Sequence, residues 1–296
     1  MEKSFSSKVK DELSELDLKN SNSCVAELSA ILIFGENTGI DNNIVIKNDR
    51  AQTLARIQAL FKRTLNEAPS IDVRNSRRGY SISVAPDAVE ELGVFFSENG
   101  DIELDEDIFA DEESKRAFLR GAFIISGTVN SPQKDYSCEL FTSNENMALL
   151  ASEILTSFGV HANTIKRKGY YVTYLKDKNS VSDFLNIIGA HNCMMELMMT
   201  QIEKDMRNRM NRQINCKTAN IDKTIKASVR QCEAIEKIMK RPVWETLDEQ
   251  IKQLALLRLE NVELGLSQLG ALLTPPMNKS SVNRKMNKLI SLAEEA

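Results

Sequence analysis

The sequence predicts an α+β protein in which a duplicated αββαββα domain precedes a small all-α domain. Three observations predict it. Two apolar helices ending in glycine recur about ninety residues apart, each is trailed by the same strand–basic turn–strand pattern, and the last fifty residues break into three short helices.

The 296 residues suffice for two or three domains. A content of 42% hydrophobic and 27% charged residues is that of a folded globular chain, not a disordered one. The net charge of −4 argues against indiscriminate coating of nucleic acid, while leaving room for a local basic surface. No apolar run approaches the ~18 residues of a membrane span, and MEKSFSSKVKDELSEL lacks the apolar core of a secretory signal. Five cysteines, an odd number with no CxxC pair, fit a reducing cytoplasm. His191 and Cys193 have no second Cys/His pair to complete a zinc site, so neither a metal nor a cofactor is expected.

Residues 1–21 form an N-terminal helix, with Val9, Leu13 and Leu16 at helical spacing. Residues 22–199 form the duplicated domain, with repeats of about 22–110 and 111–199. Each repeat opens on an apolar helix, AELSAILIFG (Ala26–Gly35) and FLRGAFIISG (Phe118–Gly127). An amphipathic helix follows, ARIQALFKRTLN and MALLASEILTSFG. A hairpin comes next, RNSRRGYSISV (Arg74–Val84) and TIKRKGYYVTYL (Thr164–Leu175), its glycine closing a basic turn. Between the repeats, Asp87–Glu113 holds twelve acidic residues and no Lys or Arg, which reads as a solvated helix-then-loop connector.

Ser29 and Ala30 in one apolar helix, and Gly121 and Ala122 in the other, let two backbones approach closely, so the halves pair through these helices and lay their strands into one concave platform. The motif and its spacing resemble the LAGLIDADG homing endonucleases. In that family an acidic residue just before the final glycine holds the catalytic metal. Here those positions are Phe34 and Ser126. Metal-assisted phosphodiester cleavage needs carboxylate oxygens on a hard cation, and Glu36, beyond Gly35, has no counterpart in the second half. No catalytic residue and no enzyme activity are expected. A metal-dependent endonuclease with relocated acids is the alternative.

The hairpin tips carry Arg74, Arg77 and Arg78 in one half and Lys166, Arg167 and Lys168 in the other. They are candidate secondary DNA contacts through phosphates, or simply charged, exposed turns. Residues 200–244 form a basic helical linker: from Thr200 to Arg241 there are eleven Lys/Arg against five Asp/Glu. Its Arg207, Arg209 and Arg212 join the secondary candidates, with the neighbouring domain as the other destination for its Arg and Asn side chains.

Residues 245–296 form the last domain. In LDEQIKQLALLRLE, Leu247, Ile251, Leu254 and Arg258 stack along one stripe, and in ELGLSQLGALL, Leu266, Leu269 and Leu273 turn inward. Pro275 and Pro276 break the chain, and Asn278 is the expected N-cap of a third helix. On that helix Val282, Met286, Leu289, Ile290 and Ala293 make one apolar stripe. Lys279, Ser280, Ser281, Asn283, Arg284, Lys285, Asn287 and Lys288 occupy the remainder, with no acid between Met277 and Leu289. A short helix followed by a longer one with a basic, amide-rich face is the form of a helix-turn-helix. Arginine suits guanine, asparagine suits adenine, and lysine and serine fix phosphates. Ser267 and Gln268 are expected to anchor the second helix near the DNA backbone.

SFSSKVKDEL, FLRGAFIISGTVN, DFLNIIGA, NRMNRQINCKTANIDK and LSQLGALLTPPMNKSSVNRKMNKL together resemble the WhiA family of bacterial regulators, over nearly the whole chain. The resemblance implies a degenerate LAGLIDADG-like domain and a C-terminal DNA-binding domain similar to region four of sigma factors. It also implies a transcription factor linked to cell division, chromosome segregation or sporulation septation. The expected partner is double-stranded DNA, in the cytoplasm and on the nucleoid, with no membrane partner. A transcription or division protein docked on the platform domain is the alternative from a different class. The sequence is silent on oligomeric state.

Overall fold

A computed structural model of the chain describes residues 3–35, 44–65, 72–76, 79–96 and 102–295. The chain divides into two compact units, Met1–Glu203 and Lys204–Ala296.

In the first unit, α1 (Phe5–Ser14) is capped by Ser4, whose hydroxyl accepts from the Ser7 N–H, and it buries Phe5, Val9 and Leu13. Leu16 lies past the helix end and packs on the core from there. Helix α2 (Ser21–Phe34) buries eleven of its fourteen residues, so it has core on every side. It leads through β1 (Ile44–Asn48) and α3 (Ala51–Thr64) to β2 (Asp72–Ser76), β3 (Gly79–Val84) and α4 (Pro86–Glu90). The three strands form one antiparallel sheet in the order β1-β3-β2.

After a ribbon of β4 (Val94–Phe96) and β5 (Ile102–Leu104), the second half runs α5 (Glu112–Ser126), β6 (Thr128–Val129), β7 (Cys138–Thr142) and α6 (Glu145–Ser157). It continues through β8 (Asn163–Arg167), β9 (Tyr170–Leu175) and α7 (Lys178–Ile188). Its antiparallel sheet has the order β6-β7-β9-β8. β1, β3 and β2 therefore match β7, β9 and β8 in place and direction, which is the expected duplication. Glu36 lies outside the described residues.

The acidic connector departs from its helix-then-loop expectation. After α4 it pairs β4 with β5 and closes with a 3-10 turn, Glu106–Phe109. Leu92, Val94 and Ile108 are buried in the main core. A few apolar side chains spaced among many carboxylates suffice to fix a strand pair, and the charge density hides them.

The two halves meet through α2 and α5. A Cβ on Gly121 would lie 2.2 Å from the Glu27 carbonyl oxygen and 3.1 Å from the Ala30 Cβ, so only glycine admits this approach. At the same junction Glu27, 1% exposed, accepts from Arg56 of α3 and from Arg120 of α5, the latter at 2.9 Å. Arg56 also donates to the Leu16 carbonyl at 2.7 Å, and Arg120 to that of Ile188 at 3.3 Å. One carboxylate thus ties three helices in the core.

Residues 200–239 continue a single helix, α8 (His191–Met239), whose first turns belong to the first unit and whose remainder belongs to the second. Glu12 of α1 caps its start, accepting from the backbone N–H groups of Asn192 and Cys193 at 2.7 and 2.9 Å. The second unit adds α9 (Glu249–Glu260), α10 (Leu266–Ala271) and α11 (Lys279–Glu294). Its separate core gathers Ile235 and Ile238 of α8, Ile251 and Leu254 of α9, Leu273, and Val282, Met286 and Leu289 of α11. Of the inward residues expected of the last three helices, Leu247, Ile251, Leu254, Arg258, Leu269, Leu273, Val282, Met286 and Leu289 are buried, while Leu266, Ile290 and Ala293 are half-buried. No helix among the described residues is long and apolar enough to cross a membrane.

Candidate nucleic-acid interface

Four local devices shape the last two helices. Arg258, on the expected stripe of α9, is 2% exposed. Its Nη1 donates to the carbonyls of Leu264 (2.7 Å), Asn261 (3.2 Å) and Val262 (3.4 Å) and to the Ser228 hydroxyl (2.8 Å), fastening the α9–α10 connection to α8. Gln268 accepts from the Gly265 N–H at 2.9 Å, which fixes the start of α10. At its far end the Met277 N–H donates to the Gly270 carbonyl at 2.9 Å. A Cβ on Gly270 would stand 2.2 Å from the Met277 carbonyl oxygen, so the double-proline connection folds back across a glycine. Asn278 is the N-cap of α11, accepting from the Ser281 N–H at 2.9 Å.

With Val282, Met286 and Leu289 buried, the remaining face of α11 is turned to solvent. Lys279, Ser280, Asn283, Arg284, Asn287 and Lys288 are exposed, and Ser281 is half-buried. Lys285 leans the other way: it is half-buried and paired with Asp248 of α9 at 3.4 Å. Ser267 and Gln268 are exposed on α10. The structure therefore brings together on one unit all ten primary candidates, with Lys285 engaged internally and Gln268 serving partly as a cap.

The secondary candidates are scattered. Arg74 lies on β2, its Cα opposite Ser81, while Arg77 and Arg78 lie outside the described residues. In the second hairpin Lys166 donates to the Tyr171 hydroxyl at 3.0 Å, and Arg167 pairs with Glu139 at 2.9 Å. Lys168 occupies the two-residue turn at φ 52°, beside Gly169 at φ 87°. Arg207, Arg209 and Arg212 are all exposed on α8. At about 100° per residue, Arg209 and Arg212 share a side and Arg207 lies on the other, next to the exposed apolar row Met206, Met210, Ile214 and Ile221.

A basin of about 320 Å³ adjoins the base of α11. It is lined by Lys223 and Gln231 of α8, Arg258 of α9, Ser267 of α10, and Lys279 and Asn283 of α11. Lys223 and Arg258 were not singled out as site residues by sequence. Lys223 is one of eleven cations in its stretch, and only its helical register with Arg212 and Lys226 could mark it.

Among the described residues, the paired apolar helices end on Phe34 and Ser126, neither of which is a carboxylate. Phe34 is buried edge-on to Phe118, ring centroids 6.0 Å apart, and Ser126 donates to the Ala122 carbonyl at 3.0 Å. Among the described residues no three His, Cys, Asp or Glu side chains cluster where a metal ion would fit. The thiol of Cys193 is pushed up to about 12, chiefly by burial and then by its hydrogen bond to Glu12.

The family description "WhiA LAGLIDADG-like domain" matches residues 115–207, and "WhiA C-terminal HTH domain" matches 210–293. Over 99% of its length the chain is 35% identical to the probable cell division protein WhiA of Clostridium tetani, covering 98% of that protein. The chain belongs to the WhiA family. The probable cell division protein WhiA of Staphylococcus aureus USA300 is 34% identical over 99% of the chain and 97% of its own length. The full-length WhiA crystal structure from Thermotoga maritima shares the fold at a TM-score of 0.61 and 24% identity, covering 99% of this chain and 98% of that one. The WhiA HTH match begins inside α8, so the second half of that helix goes with the helix-turn-helix.

Proposed function

We propose that this WhiA-family protein is a sequence-specific, double-stranded-DNA-binding transcriptional regulator that acts in cell division, chromosome segregation or sporulation. The observation that supports it is the outer face of α11. Ser280, Asn283, Arg284, Asn287 and Lys288 are exposed, their side chains make no hydrogen bond or ion pair with described residues, and no acid lies among them. Uncommitted donors and acceptors at that spacing suit base edges in the major groove. The family's cell-division naming supports the cellular setting. Phe34 and Ser126 support the reading that the first unit is not a nuclease, since neither side chain holds a hard cation.

The test is binding of the full chain to a promoter pool against random duplex across a salt series, with Arg284→Ala alongside. Preference for particular duplexes that Arg284→Ala weakens by about 1–3 kcal/mol supports the reading. Equal affinity for every duplex, unchanged by the substitution, refutes it. A second reading, in which the first unit docks a transcription or division protein, is favoured by the acidic segment Asp87–Glu113 and is compatible with the first.

A further inference from the structure

Some cations of the second unit have carboxylate partners. Arg230, Lys252 and Lys285 pair with Glu294, Glu249 and Asp248. Those lining the basin make no ion pair with described residues: Lys223 and Lys279 are exposed, and the buried Arg258 donates only to neutral oxygens, with Glu263 acting on it through space and not by contact. No Asp or Glu lines the basin. Two buried polar atoms at its base, Arg258 Nε and Gln231 Oε1, have no partner.

A buried guanidinium with no carboxylate in hydrogen-bond contact is costly, because neutral carbonyls offset only part of the lost hydration. Three positive charges that converge without an acid leave a local potential that an anion offsets. Ser267 and Asn283 supply neutral donors at the rim, and their side chains also make no bond with described residues. Lys223 reaches the basin from the side of α8 that carries Arg212, Asn215 and Lys226, opposite the apolar row. The second half of α8 thus completes a site whose other walls are α9, α10 and α11.

We propose that this basin is a phosphate-binding site, with Lys223 and Lys279 as its cationic walls, Ser267 and Asn283 as neutral donors, and Arg258 as its buried floor. The occupant is a backbone phosphate of the duplex read by α11, so the proposal rests on the DNA-binding reading for its source. The same chemistry would hold a free phosphorylated molecule. Lys223 is then a positioning contact: it fixes register on the duplex without reading sequence.

The test uses the full chain with Lys223→Gln and Lys223→Arg, each first shown to melt as the wild type does. Affinity for the promoter pool and for random duplex is measured from low to high salt. Lys223→Gln is expected to weaken both duplexes by the same factor and to make the salt slope shallower by about 0.9, the loss of one phosphate contact, with Lys223→Arg restoring it. In a second arm, pyrophosphate is titrated without DNA while the thermal transition is followed by Trp244 fluorescence. If pyrophosphate raises that transition in the wild type but not in Lys223→Gln, and the DNA salt slope is unchanged, the site stands and its occupant is a free phosphoanion. If Lys223→Gln alters neither the slope nor the pyrophosphate response, or alters only the preference between duplexes, the proposal is overturned. Absence of any duplex binding by the wild type would sink the regulator reading alone, and the pyrophosphate arm would still decide the basin.

Discussion

The backbone carbonyl of Glu27 occupies the space where a side chain on Gly121 would begin, 2.2 Å from the ideal Cβ position. Neither backbone can yield without parting α2 from α5. Gly121→Ala is expected to destabilise the first unit by about 1–3 kcal/mol through overpacking. Urea unfolding followed by far-ultraviolet circular dichroism checks this, and an unchanged midpoint would show that the helices can slide.

The side chain of the same Glu27 sets a second expectation. Glu27→Gln leaves the guanidinium of Arg56 in the core without a carboxylate, and that of Arg120 with Glu113 alone at 3.6 Å. Removing one partner of a buried ionic cluster typically costs about 3–5 kcal/mol. Replacing all three residues together with Leu, Met and Met should recover much of that loss, and comparing the single and triple variants in urea measures how much.

Lys10 gives the first unit an alkaline signature. Burial pushes its ammonium down to about 8, with Arg50 adding to the fall and Asp49 opposing it. Between about 8 and 10.5 the unfolded chain holds more protons at this site than the folded one, so its contribution to stability rises with pH across that window. Below about 8 the full penalty for burying the charge remains. Lys10→Met is therefore expected to be more stable than the wild type at pH 7, with the difference shrinking towards pH 10.5. Urea midpoints of both proteins at pH 7, 9 and 10 test the trend, and a constant difference would contradict it.

Asn278 holds the first turn of α11 in place. Asn278→Ala removes the acceptor for the Ser281 N–H and should cost about 1 kcal/mol, whereas Asn278→Asp or Asn278→Ser should stay near the wild type. Trp244, the single tryptophan of the chain, packs against the core of the second unit and reports this locally. Equal loss in all three variants would point to a role other than capping.

Much of this was legible from residue order because it depends on local periodicity. The two glycine-ended helices, the matching hairpins and the stripe of Val282, Met286 and Leu289 all repeat at the spacing of their own element. Asn278 announced itself by following two prolines. What stayed hidden depends on residues far apart in the chain. Glu27 looks like an oddity in an apolar helix until Arg56 and Arg120 arrive on either side. The basin joins Lys223, Arg258, Ser267 and Lys279 from four helices, and no spacing rule links them. The β4–β5 ribbon was concealed differently, by acidic residues that outnumber the apolar side chains fixing it.

The cap that Glu12 places on α8 has a consequence for how the chain is made. Helix α1 leaves the ribosome well before α8: the amides that Glu12 must hold, at residues 192 and 193, are synthesised about 180 residues later. Lys8 likewise waits for Glu196. At roughly 5–20 residues per second, that interval is on the order of 10–40 s. Through it α1 can already pack on α3 and α5, but the Glu12 carboxylate has no amides to hold, so fastening α8 is a late, long-range closure.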